Sequence, residues 1–339
     1  MMMKDYVLYN ADCPAAGFTV KNGQVTDFRS LRPELLPMQL CDASADRFTM
    51  WLRDRAIDLN VIQHRNLVSE LYATRDKLSL ALMTRMFSLT DTFTCFEEGT
   101  FVPRAELCSP EGQDAVCRYI LISSDTSLRG ARIITPNVST DGSFPKTWVY
   151  ENGVWWLRKL QSAEASRGEV WISRALRAAG WDAAEYAFAG ASRKQVKSRN
   201  FLNENEFFEP YESLRYRFED MSDDDSAVMG NLSSLGEAFR IAWKRILLAD
   251  AFFVNTDRHT RNFGVIRSSK DGRILRLAPN FDNNQAYKAN PSGHYSDSML
   301  RMYLQDADEA DRRDLSALLK GADGIAYLAE ACTGAEKYL

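Results

Sequence analysis

The chain has 339 residues, 45% of them hydrophobic and 26% charged, with a formal net charge of −4. This is length enough for two or three units with cores of their own, in the composition of an ordinary globular protein. Interspersed charge gives no electrostatic footprint for direct nucleic-acid binding, and no segment approaches the ~20 apolar residues of a membrane span.

The opening MMMKDYVLYNADC lacks the apolar run of a signal peptide. The six cysteines form no CxxC pair, and a chain this long needs no disulfide staples, so they read as reduced thiols of a cytoplasmic protein. The three histidines, His64, His259 and His294, are far apart in sequence and argue against a structural zinc site.

In chain order, FTVKNGQVTDF (18–28) reads as a hairpin turned at Asn22-Gly23. DASADRFTMWLRDRAI (42–57) and HRNLVSELYA (64–73) have helical spacing, and Ser88 and Asp91 offer helix caps. From about residue 133 the texture changes. Residues 135–160 read as strand, glycine loop, strand, Asn152-Gly153 turn and strand. One amphipathic helix follows over 163–180, with Gly180 at its C-terminal cap, and then two strands, AEYAFAG and RKQVKSRNF.

The rest is mostly helical. After a loop at SDDD (222–225), LGEAFRIAWKRILLADAFFV (235–254) reads as a buried helix with Ala238, Ile241, Ala242, Leu248, Ala249 and Phe252 on one stripe. A polar loop, NTDRHTRN, comes next, then a hairpin turned at Asp271-Gly272 and two closing helical segments. The order resembles that of a two-lobed kinase.

The polar loop carries the chemistry. A kinase catalytic loop places an aspartate five residues before an asparagine, the first orienting the attacking hydroxyl and accepting its proton, the second binding magnesium. Asp257 and Asn262 have that spacing. A second metal-binding aspartate should follow a hairpin, and Asp282 does, in LAPNFDN. Such oxygen ligands suit magnesium, a hard cation that takes few protein ligands. Asp and Asn are also common in plain turns, and it is the buried helix before and the hairpin after that favour the catalytic reading.

NTDRHTRNFG followed by LAPNFD resembles the HipA-like kinases, whose pattern N-x-D-x-H-x-x-N, hairpin, P-x-[YF]-D is met by Asn255, Asp257, His259 and Asn262, then Pro279, Phe281 and Asp282. Their phosphate loop, S-x-x-G-x-x-x-K, is matched from Ser139 through Gly142 to Lys146. Gly142 would let backbone N–H groups approach phosphate oxygens, and Lys146 adds positive charge. Lys159, near the end of the strand WWLRK, is the expected lysine on the α- and β-phosphates, sharing a strand face with Leu157. Glu169, or alternatively Glu164, would orient it. Ser198, Asn200 and Phe201 fall where the family binds adenine. His259 would prop the loop by hydrogen bonding.

The resemblance covers about residues 135–287. It implies an α+β, two-lobed protein-kinase-like fold: a β-rich N-lobe (126–203) and a mainly helical C-lobe (204–339), behind an N-terminal α/β leader unit (1–125). The expected activity is ATP- and Mg2+-dependent transfer of the γ-phosphate to a Ser/Thr hydroxyl of a protein substrate. Autophosphorylation at Ser139 and an antitoxin protein as partner are further expectations. A nucleotide-binding pseudokinase, or a kinase for a lipid or other small molecule, stands as the alternative.

Overall fold

The computed structural model describes residues 3–111, 113–121, 128, 131, 133–139, 144–190, 193–286 and 297–339. In chain order the elements are β1 (Met3–Asn10), β2 (Cys13–Lys21), β3 (Gln24–Ser30), α1 (Ala45–Asp54), α2 (Ile62–Tyr72), α3 (Lys77–Met83), β4 (Phe93–Glu97), α4 (Arg104–Leu107) and α5 (Asp114–Leu121). Then come β5 (Lys146–Glu151), β6 (Val154–Leu160), α6 (Ala163–Ala178), β7 (Tyr186–Phe188), β8 (Gln195–Arg199), β9 (Glu206–Pro210), α7 (Tyr211–Leu214), α8 (Asp225–Ser234) and α9 (Glu237–Phe253). The chain ends with β10 (Gly264–Ser268), β11 (Ile274–Leu277), α10 (Ser298–Leu304), α11 (Glu309–Ala322) and α12 (Ala329–Glu336).

Two compact units divide these elements. The first comprises Met1–Leu160, Leu202–Glu209 and Ile266–Leu275; the second comprises Gln161–Phe201, Pro210–Val265 and Arg276–Leu339.

The first unit is rich in strands. An antiparallel sheet runs in the order β3-β2-β1-β4, with Asn22 and Gly23 both at positive φ in the β2–β3 turn. Alternate residues of β1 and β2, Tyr6, Leu8, Phe18 and Val20, are buried against Phe48, Trp51 and Leu52 of α1 in one apolar cluster. Its register follows from that alternation, because a one-residue slip would turn the apolar set to water. A second sheet runs β11-β10-β9.

Buried Arg267 of β10 pairs with Glu209 of β9 and donates to the carbonyls of Glu34 and Gly272 at 2.8 Å and of Leu36 at 2.9 Å. Glu209 also accepts the Met38 N–H at 2.6 Å. The short 3-10 turns at Pro33–Leu35 and Met38–Leu40 are thereby tied to this sheet. The β5–β6 hairpin turns at Asn152 and Gly153, both at positive φ as a type I′ turn requires. Trp155 and Leu157 of β6 pack on a cluster of Phe87, Leu89, Phe96, Leu107 and Trp148.

The second unit is mainly helical. Ser162 caps α6 by accepting the Ala165 N–H, and Gly180 follows its end at φ 76°. Helix α11 lies so close to α6 that a Cβ on Gly321 would meet the Ala175 carbonyl oxygen at 2.3 Å. Val170 of α6 is buried with Ala184, Tyr186 and Val196 from the β7–β8 region. The end of α9, from Leu248 to Phe253, is buried among residues of α6, α10, α11 and α12.

Four local expectations are corrected. Residues 136–138 form a 3-10 turn and no strand, since Pro136 has no N–H for a ladder. Ser88 and Asp91 cap no helix: Asp91 pairs with Arg55 at 2.7 Å and accepts the Phe93 N–H, so it opens β4. The predicted stripe on α9 holds only over its C-terminal half, because Ala238 and Ile241 are exposed while Trp243 and Ile246 are buried. Three helices, α10, α11 and α12, close the chain where two segments were expected. All six cysteines are free thiols. Among the described residues no helix is long and apolar enough to cross a membrane.

Candidate active site

Helix α9 delivers the polar loop. It ends on Val254 in the left-handed conformation, φ 52°, with the Val254 N–H on the Asp250 carbonyl. Asn255 then turns back, its N–H to the Asp250 carbonyl at 2.9 Å and its side-chain amide to Asp250 Oδ1 at 2.8 Å. Asp257 follows, half-buried, with its own N–H on Asn255 Oδ1 at 3.4 Å. Asn262 donates through Nδ2 to the Asp257 carbonyl at 3.0 Å, which aims its side-chain oxygen away from that carbonyl. His259 is exposed, and its Nδ1 accepts the Arg261 N–H at 3.2 Å.

Asp282 lies in the same unit, and it too is left-handed, at φ 61°. Its N–H donates to the Tyr186 hydroxyl at 3.2 Å, and its Oδ1 accepts from Asn284 Nδ2 at 3.0 Å. Residue Phe281, just before it, places its ring 5.7 Å from that of Phe201. Ser198, buried in β8, stands in register with Tyr186, and Asn200 is half-buried just beyond the strand. The segment around Asp282 therefore lies beside the one expected to meet adenine.

Between the two motif segments sits a residue the sequence reading passed over. Arg258 is buried, and its Nε and Nη2 grip the two oxygens of Asp250, each at 2.8 Å. Its Nη1 donates to the carbonyls of Asn262 at 2.9 Å and Phe281 at 2.8 Å, and Nη2 also reaches Asn283 Oδ1 at 2.9 Å. Burial works against the guanidinium's charge, but Asp250 more than restores it, and the pKa stands above its ordinary value. Asp250 was findable: it is a carboxylate inside the apolar run LLADAFF, and a charge so placed must have a partner.

Glu169 of α6 is buried and accepts from Gln161 Nε2 at 2.5 Å, whereas Glu164 is exposed. Just before it, Gly168 lets Asn283 approach: a Cβ there would lie 3.3 Å from the Asn283 carbonyl oxygen.

The phosphate-loop stem belongs to the first unit. Asn137 Oδ1 accepts from the Thr147 hydroxyl at 2.9 Å and the Trp148 N–H at 2.6 Å, fixing the turn before the loop to the strand after it. Ser139 ends that turn with its hydroxyl buried and, among the described residues, without a hydrogen-bond partner. Gly142 lies outside the described residues. Lys146 opens β5 and is the direct cross-strand partner of Lys159 on β6. Lys159 is 5% exposed, at the end of the apolar face that Leu157 and Trp155 cover.

Asp282 and Asn262 carry a carboxylate and an amide oxygen, donors of the hard type that magnesium takes. Among the described residues no group of three or more His, Cys, Asp or Glu side chains is placed to hold a metal ion.

Neither a family model nor a curated protein matches the sequence. Among solved structures, the chain is similar to HipA from the Shewanella oneidensis MR-1 toxin–antitoxin complex of HipA, HipB and operator DNA. The TM-score is 0.54 at 12% identity, over 98% of this chain and 91% of that one. A Helicobacter pylori proinflammatory kinase, CtkA, is similar over 57% of this chain and 81% of its own, at 15% identity and a TM-score of 0.45, too slight to argue from.

Proposed function

On a HipA-like kinase fold, we propose that this chain is an ATP- and Mg2+-dependent kinase that phosphorylates a Ser or Thr hydroxyl of a protein. The observation that carries the reading is the convergence of two motif segments in one unit: Arg258, inside the NTDRHTRN loop, holds the backbone beside Asn262 and beside Asp282 together. A turn that served only as a turn would not need that link.

In this reading Asp257 orients the substrate hydroxyl and accepts its proton as the oxygen bonds to the γ-phosphorus and the bond to the bridging oxygen of ADP breaks. Its carboxylate makes no hydrogen bond among the described residues, while its backbone is held from both sides. Asn262 and Asp282 would hold the magnesium, which neutralises phosphate charge when bound. Lys146 and Lys159 concentrate positive charge for the phosphates, and the segment of Ser198, Asn200 and Phe201 would take the adenine edge. Catalysis of this kind is mainly positioning and charge neutralisation, so a sparse set suffices.

Ser139 is the proposed self-phosphorylation site. Its hydroxyl is buried, so the turn at 136–139 must open before it can accept phosphate. The HipA neighbour's assembly with HipB supports an antitoxin as this chain's partner.

The test is transfer of labelled γ-phosphate to the chain itself and to a lysate, wild type against Asp257→Ala. A drop of at least ~100-fold is expected for a lost proton acceptor. Activity retained in the variant would overturn the assignment of the loop. Nucleotide binding without transfer in the wild type would favour a binding module, and transfer only to a small molecule would favour a different substrate class.

A further inference from the structure

We infer that Arg258, locked by Asp250, is the positioning residue that sets Asp282 against Asn262. The inference rests on the kinase reading of those two residues and adds to it a part that no motif residue performs.

An arginine has five N–H donors in a rigid fork. Here each has an acceptor: two on Asp250, one on the Asn262 carbonyl, one on the Phe281 carbonyl and one on Asn283 Oδ1. The first two aim the fork from the rigid end of α9. The other three are spent on the residue expected to bind metal in the loop and on the two residues that flank Asp282.

Such flanking holds Asp282 in its backbone conformation. At φ 61° it stands in the left-handed region, uncommon for residues with a side chain, though Asp tolerates it better than most. A residue held there persists only where its surroundings over-determine it. The bonds from Arg258 to Phe281 O and Asn283 Oδ1 hold the backbone immediately before and the side chain immediately after that unusual φ. The Tyr186 hydroxyl takes the Asp282 N–H itself. One side chain thus holds both ends of the proposed metal-binding pair, with all five of its N–H donors committed to protein acceptors. A lysine could keep the charge and reach at most three acceptors, with no planar fork to divide them among Asp250, the loop and the Asp282 segment.

The experiment compares wild type with Arg258→Lys by two measurements. The first is amide hydrogen exchange, without nucleotide, at residues 281–284. The second is ATP binding across a magnesium titration. The expected result is at least ~10-fold faster exchange confined to 281–284 and the 257–262 loop. At least ~10-fold more magnesium should be needed for half-maximal nucleotide binding, with metal-free ATP affinity unchanged. Exchange and magnesium requirement both as in wild type would overturn the proposal.

Should Arg258→Lys fail to fold, Asp250→Asn keeps the arginine while loosening its lock and the Asn255 contact beside it, and the same two measurements decide. A rise in exchange spread evenly over the whole second unit in that variant would mark a general structural role and equally overturn the proposal. Wild-type protein that binds no magnesium-dependent nucleotide would sink the kinase reading instead, and the exchange arm would still decide whether Arg258 positions Asp282.

Discussion

Lys146 and Lys159 stand directly opposite each other across the β5–β6 ladder. Directly opposed residues have Cβ atoms about 5 Å apart, and like charges so placed destabilise a sheet by up to ~1 kcal/mol. Both lysines have further interactions of their own, and an anion bound beside the pair lowers the remaining cost. ATP, and more weakly inorganic phosphate, should therefore raise the melting temperature of the wild type, and Lys159→Met should lose most of the gain and at least ~10-fold in nucleotide affinity. Thermal melts with and without each anion check this, and equal shifts in both proteins would remove Lys159 from the phosphate site.

Asp282→Asn keeps the shape of the side chain and removes the negative charge that a hard cation requires. Calorimetric titration with ATP should show the magnesium-dependent part of the affinity falling by at least ~10-fold while the metal-free part stays. The same metal dependence in both proteins would take Asp282 out of the metal site.

Gly272 sits in the β10–β11 turn at φ 72°, and a Cβ there would meet the Glu34 carbonyl oxygen at 1.8 Å. Gly272→Ala should cost about 2–3 kcal/mol in stability, combining backbone strain with a clash that backbone cannot yield to cheaply. Gly324 provides the control, with φ 73° and open space around the missing Cβ. Gly324→Ala should cost only the strain, about 1 kcal/mol. Denaturant unfolding of the two variants gives the difference.

His64 is fully buried, with Nδ1–H on the Asp58 carbonyl at 3.1 Å and Nε2 without a partner among the described residues. Burial pushes its pKa down to about 4, the Asp58 carbonyl pulls it up, and Lys146 pushes it down again. The unfolded chain would take up a proton near pH 6.5, the folded chain only near 4, so between those values the unfolded state holds more protons. Stability from this group is therefore full above about 6.5 and falls with pH towards 4, by up to about 3 kcal/mol. His64→Gln should flatten that part of the stability–pH curve, and an unchanged slope would show that other groups set it.

The turns were readable in the sequence because their chemistry is local. Asn22-Gly23, Asn152-Gly153 and Asp271-Gly272 each sit where the backbone needs a left-handed residue, and neighbours suffice to say so. Asp257, Asn262 and Asp282 stand out by their spacing together with the helix before them and the hairpin between them. What holds them does not, because Arg258 finds its acceptors on residues up to twenty-five positions away. Asp91 misled for the same reason: as a short polar residue it reads as a cap, and only the fold brings Arg55 to it. The upper half of α9 misled differently, since its alanines and Ile241 have helical spacing but face no other element closely enough to be buried.

Arg267 reaches back to the Glu34 and Leu36 carbonyls across 233 and 231 residues. A ribosome extends the chain from its N-terminus, at ~5–20 residues per second. Residues 34–38 therefore wait ten seconds or more, on the order of magnitude of that rate, before Glu209, Arg267 and Gly272 exist to receive them. Through that interval the first strands can pair among themselves, but the β9–β11 sheet that secures residues 34–38 is still unmade. The polar loop at 255–262 is synthesised just ahead of Arg267. A nascent chain thus cannot close this part of its first unit until the residues expected to do its chemistry have already emerged.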